Sequence, residues 1–226
     1  MNSPIYNMRP RRQSGIPTVI FILLIVNGLV FAAQQLNPDW TRYFMALWPL
    51  SDGDRATYAQ FLQYRPYATA PFAPWQLITY GFLHDVQSLY HIGFNMLWLW
   101  MFGRHIEPMM GPRRFFIYYI TCVIGAGLIQ MLVAGVQGDV YHTVGASGGL
   151  MGILLAYAMA FPNQTIMLLI PPIPKKAKYF VTLFALASIF LGVSGAVPGV
   201  AHFAHLGGML FGFLLWRHWY KPRRRG

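Results

Sequence analysis

Charge is what this sequence of 226 residues has least of: 10% of it is Asp, Glu, Lys or Arg, against about 25% in a typical soluble domain. Acidic residues are scarcest, six against 17 Lys and Arg, and Glu107 is the single glutamate. Cysteine is nearly absent. Cys122 alone sits in an apolar run, which excludes a disulfide framework and a cysteine metal cluster. No Lys-Ser or Lys-Thr follows a glycine-rich stretch, so there is no phosphate loop, and no His-Glu-x-x-His occurs. Internal repeats and low-complexity segments are missing too.

What is present is apolar. Hydrophobic residues make up 56% of the chain, aromatics 16%, and the mean hydropathy is +0.42. That composition reads as a polytopic membrane protein. Apolar spans run over about 16–34, 88–109, 115–136, 147–161, 178–193 and 198–216. The first could be mistaken for a signal peptide, but it is long for one, and its removal would leave an odd number of spans. Residues 35–86 interleave Trp40, Phe44, Trp48, Trp75 and other aromatics with prolines, and read as helices and turns lying at the headgroup level. Between spans four and five, residues 165–170 form a strand-like apolar piece.

The net charge of +11 would suggest nucleic acid as a partner if the cations formed a patch. They do not. All but Arg42, Arg55 and Arg65 fall at the termini or in alternate gaps between spans, while Asp39, Asp52, Asp54, Asp85 and Asp139 share the other gaps. This is the positive-inside asymmetry, and it puts both termini in the cytoplasm. Basic tails at 1–15 and 217–226 then flank a membrane domain at 16–216, with the second tail facing anionic headgroups. No nucleic-acid partner is expected. The short chain, without an acidic-poor, Ser-rich presequence, points to a bacterial inner membrane ahead of the alternative, a eukaryotic organelle.

Polar groups inside spans are expensive and mark function. Ser147 opens the fourth span within Gly145-Ala146-Ser147-Gly148-Gly149; His205 lies 58 residues on, in Ala204-His205-Leu206-Gly207-Gly208. His91 and Asn95 are four apart on one face of the second span. His205 is roughly 10 Å into its span at 1.5 Å per residue, so these groups share the outer half of the bilayer. Gly148, Gly152, Ala156 and Ala160 form one small-residue stripe; Ala201, His205, Gly208 and Gly212 form another. Such stripes let two backbones approach in lipid. A serine beside a neutral imidazole suits acyl transfer. Asn95, His91 and the Ser147 backbone N–H are the candidate oxyanion donors. No acidic residue lies in a helix interior to orient His205, Glu107 standing at the inner end of the second span, so the pair would be a dyad. His202 reads as an interfacial histidine at a helix mouth, His84 as a loop histidine hydrogen-bonded within the first outer segment, and Glu107 as a cap or an ion-pair partner.

These residues carry a resemblance. Gly145-Ala146-Ser147-Gly148 resembles the Gly-x-Ser-Gly motif of the rhomboid intramembrane serine proteases. His205 followed by Gly208 and Gly212 looks like their histidine helix, His91-x-x-x-Asn95 their oxyanion-side pair, and Gly103 through Glu107 to Gly111 the motif closing that helix. The resemblance covers roughly 16–216. It implies an all-α polytopic membrane protein: a rhomboid-like bundle of six transmembrane helices with a long membrane-associated first outer loop. It implies cleavage of membrane-anchored protein substrates near the outer face through an acyl-enzyme, with Ser147 as nucleophile, His205 as base, His91 and Asn95 at the oxyanion, and Gly145, Gly148, Gly208 and Gly212 packing around the site. No cofactor or metal is expected, and the oligomeric state is left open. Two positions depart from the pattern: Trp75-Gln76 stands where members often carry Trp-Arg, and Met151 where some carry an aromatic ring against the histidine.

Three other readings compete. A client-binding protein of the same fold would have no need of both Ser147 and His205. A metal or haem protein using His84, His91, His202 and His205 would lack intramembrane carboxylates. A transporter would lack a charged pair or broken helix at the midplane.

Overall fold

The computed structural model describes residues 15–50, 72–138, 142–167, 173–196 and 200–220. Most of both basic tails, the part of the first outer segment from 51 to 71 with Arg55 and Arg65, and Asp139 lie outside the described residues. Among those described, the elements are α1 (Thr18–Leu36), α2 (Pro38–Met45), α3 (Gln76–Thr79), a 3₁₀ turn (Tyr80–Phe82), α4 (Leu89–Met110), α5 (Pro112–Gln137) and α6 (Ser147–Ala160). Then come β1 (Thr165–Met167), β2 (Pro174–Lys176), α7 (Ala177–Ser194) and α8 (His202–Trp219). The two strands pair antiparallel, Thr165 opposite Lys176; β1 covers the first three residues of the strand-like piece, and 168–170 lie outside the described residues.

The six spans of the sequence are α1, α4, α5, α6, α7 and α8. Helices α1, α5 and α7 are long and apolar enough to cross a membrane. The other three differ for physical reasons. Helices α4 and α8 carry the buried polar groups Asn95, Glu107 and His202. Helix α6 has 14 residues, roughly 21 Å at 1.5 Å per residue, against a hydrocarbon core of about 30 Å. A helix so short cannot span that core by itself, and the residue at its start is Ser147.

Helix α6 is the axis of the bundle, with ten of its residues buried, Gly148 through Leu154 without a break. The most extensive contacts in the molecule join α5 to α8, and then α6 to α8. Helices α1 and α7 pack on the outside and turn most of their residues away from the protein. Local chemistry sets the ends. Gly111, at φ 79°, turns the chain between α4 and α5, and Pro112 begins the next helix, where its missing N–H loses nothing. Glu107 is buried on α4 and accepts the backbone N–H groups of Val19 and Ile20, each at 2.9 Å. These are amides that the first turn of α1 cannot satisfy itself. The carboxylate is thus a cap supplied from a neighbouring helix, which accounts for an acid buried beside an apolar span.

Candidate active site

Small residues bring the serine and histidine helices together. A Cβ added to Gly208 would overlap the carbonyl of Gly148, and one added to Gly152 would come within 3.1 Å of the Gly208 carbonyl oxygen. Helices α6 and α8 therefore touch backbone to backbone. Helix α5 is the third partner, which the stripes did not reveal: Ala126 fills the space above Gly148, and Tyr118 OH donates to the Gly152 carbonyl at 2.9 Å. Gly212 faces Tyr118 and Gly152 in the same seam.

Across that contact His205 Nε2 lies 2.9 Å from Ser147 Oγ. His205 Nδ1 is buried and has no hydrogen-bond partner. Phe184 on α7 packs against the His205 ring, centroids 5.8 Å apart. Met151 does not provide the aromatic contact on α6; Phe184 supplies one from another helix, and nothing in its spacing could have marked it.

The loop leading into Ser147 is held from both sides. Thr143 and Leu47 exchange two backbone hydrogen bonds (3.0 and 2.9 Å), and the Gly145 N–H donates to the Tyr80 carbonyl at 3.0 Å. Gly145 itself lies before the helix at φ 133°, a conformation side chains rarely adopt, so its part differs from the helix packing expected of it. A Cβ there would sit 3.3 Å from His91 Nε2 and 3.5 Å from Ser147 Oγ; the bare backbone keeps open the space between the two. His91 Nδ1 accepts the backbone N–H of Asp85 at 3.0 Å. In a neutral ring this puts the proton on Nε2, the nitrogen turned towards Ser147.

A cavity of about 760 Å³ opens above the pair, lined by Gln34, Arg42, His84, Asp85, His91, His142, Ser147 and His205 among others. Asn95 and His202 are not part of its wall. Asn95 is buried with Nδ2 unpartnered, below His91 on α4. His202 is the first residue of α8, at the mouth of the helix as expected, and is buried beside His205 with ring centroids 6.3 Å apart. His84 is a loop histidine, as the sequence suggested, with its ring buried and close to the Phe82 backbone. Burial and then the neighbouring His91 lower its pKa to about 4; burial and then Arg42 do the same to His142. Gln76 takes up an anchoring part in the first loop: its buried side-chain oxygen accepts the N–H groups of Trp48 (3.3 Å) and Ala73 (3.2 Å).

The sequence matches the Rhomboid domain over residues 71–221. The chain belongs to the rhomboid family. Similar proteins include the mitochondrial Rhomboid protein 1 of Saccharomyces cerevisiae, 30% identical over 87% of this chain and 51% of its own length. Rhomboid protease GlpG of Serratia proteamaculans is 27% identical over 91% of this chain and 63% of its own. RHOMBOID-like protein 4 of Arabidopsis thaliana is 32% identical over 62% and 33%. This rhomboid therefore spans between about half and two-thirds of the first two relatives. It is an integral membrane protein with a helical rhomboid bundle, and the residues matched contain Ser147, His205, His91 and Asn95.

Proposed function

We propose that this rhomboid is an intramembrane serine endopeptidase that cleaves membrane-anchored proteins near the outer face of the bilayer. The observation that carries the reading is the 2.9 Å contact between His205 Nε2 and Ser147 Oγ, in the wall of one cavity. His205 takes the serine proton as Oγ attacks the scissile carbonyl. The imidazolium then protonates the leaving amine, and an acyl-enzyme remains on Ser147. His91 Nε2–H and the backbone N–H at the start of α6 are the donors for the oxyanion. Asn95, one turn behind His91, is the weaker candidate because it does not line the cavity. No carboxylate among the described residues bonds His205 Nδ1, so the machinery is a dyad.

The same reading divides the chain into a membrane domain at 16–216 and basic tails at 1–15 and 217–226. Both tails lie on the cytoplasmic side of the membrane, by the distribution of Lys and Arg. Similarity to a relative named as a protease supports the activity. The test is labelling of the protein in detergent by a serine-directed fluorophosphonate. Wild type should label; Ser147→Ala and His205→Ala should not, and each should lose turnover while keeping its thermal midpoint. Cleavage of a transmembrane substrate by Ser147→Ala at the wild-type rate would overturn the assignment. Folded wild-type protein that fails to label would favour a client-binding protein instead.

A further inference from the structure

His84 differs from the other polar groups around Ser147 in that its backbone is fully engaged and its ring is not. The Gln34 side chain on α1 accepts the His84 N–H and donates to the His84 carbonyl, both at 2.9 Å. With the peptide clamped, the ring lies between Phe31 and His91, at centroid distances of 6.4 and 5.2 Å. It is 1% exposed. Beyond a contact with the Phe82 backbone the ring nitrogens have no protein partner, and the residue lines the cavity above Ser147.

An imidazole in this position is unfavourable unless something in the cavity completes it. Buried polar atoms are normally paired with protein or with ordered water. A Leu or Phe would pack against Phe31 without desolvating two nitrogens. Because the pKa is lowered to about 4, the ring is neutral at pH 7, with one donor and one acceptor. The cavity, about 760 Å³, is large against the roughly 30 Å³ that a water molecule occupies. Its wall near His84 has the apolar Leu83 and Val86 but also Gln34, Asp85, Gln87 and His91, polar groups of the kind that hold water in a cavity.

We infer that His84 is a positioning residue for the water that hydrolyses the acyl-enzyme, holding it beside the ester on Ser147. The inference rests on the serine-protease reading given above. The water oxygen attacks the ester carbonyl carbon, and the proton it loses passes to His205 Nε2. The bond from carbon to Ser147 Oγ then breaks with its electron pair on Oγ. Oγ takes the proton back from His205, and the acyl group leaves as a carboxylic acid. His84 has no part in the first attack, so acylation does not depend on it.

A 4-nitrophenyl ester of a short acylated peptide separates the two steps. Acylation appears as a burst of nitrophenolate and deacylation as the steady rate that follows. His84→Phe, which fills the volume without either nitrogen, should keep a burst near one equivalent and lose at least tenfold in the steady rate. His84→Gln, which keeps a donor and an acceptor, should recover part of that loss. Added hydroxylamine, a small nucleophile needing no held water, should restore turnover of the Phe variant. A steady rate equal to wild type would overturn the inference, as would burst and steady rate falling by the same factor. If the Phe variant does not fold, His84→Leu, which also lacks both nitrogens, decides on the same two readings. Failure of the protease reading itself would look different: wild-type protein would give no burst at all.

Discussion

The orientation of His91 turns on one backbone amide. Asp85 lends its N–H to Nδ1, and the ring must then present Nε2–H to the space beside Ser147. Asn95, four residues on, has the right chemistry but sits behind that ring, outside the cavity wall. Removing one oxyanion donor typically costs about 10²–10³ in rate. We therefore expect His91→Ala to lower kcat by about that factor with KM little changed, and Asn95→Ala to cost less, both measured on one transmembrane substrate. Equal losses would place Asn95 on the oxyanion as well. Ser147, His205 and His91 were legible in the sequence because polar groups stand out in apolar spans. Phe184 and Gln76 were not, since a phenylalanine in a membrane helix and a glutamine in a loop declare nothing until their neighbours are known. His84 was legible as a loop histidine, but the closure of α1 over it was not, because its clamp Gln34 lies 50 residues away in the chain.

At the level of the helices, glycine decides how near Ser147 comes to His205. Gly208 has no room for a methyl group, since a Cβ would enter the Gly148 carbonyl. Gly208→Ala must push α6 and α8 apart. Overpacking of this kind costs about 1–3 kcal/mol, so a lower thermal midpoint is expected together with a larger proportional loss of turnover. Gly135→Ala on α5 is the matched comparison: nothing lies within 4 Å of the added atom, and the change should be neutral or slightly stabilising. The α6 and α8 stripes could be read from spacing. The contribution of α5 could not, because small and large apolar residues alternate around it without a single stripe. Helix ends were legible to within a few residues wherever Gly or Pro marks them, as at Gly111-Pro112.

For the whole molecule, acid should loosen the Ser147 end before the rest. His84 and His142 have pKa values lowered to about 4, against about 6.5 in an unfolded chain. Below pH 6.5 the unfolded chain takes up protons that the folded one refuses. The stability present above 6.5 is therefore lost as pH falls towards 4, by about 3 kcal/mol for His84 alone. Thermal midpoints recorded between pH 7.5 and 4 should fall, and His84→Phe should flatten the curve; a midpoint that rises on acidification would contradict the burial of these rings. At the opposite end Arg104 lies over Trp100 at 4.2 Å and Arg114 over Trp219 at 5.9 Å. That pairing of cations with aromatics suits a headgroup layer.

The contact of Gly148 with Gly208 also bears on how the protein meets bilayers of unequal thickness. A membrane too thick or too thin for its helices strains whichever elements are free to tilt. Here those are α1 and α7, which lean on the bundle from outside, while α6 and α8 meet main chain against main chain and have nothing soft between them to yield. Lipid strain is thus taken up at the periphery, and the spacing of serine and histidine stays constant from one membrane to another.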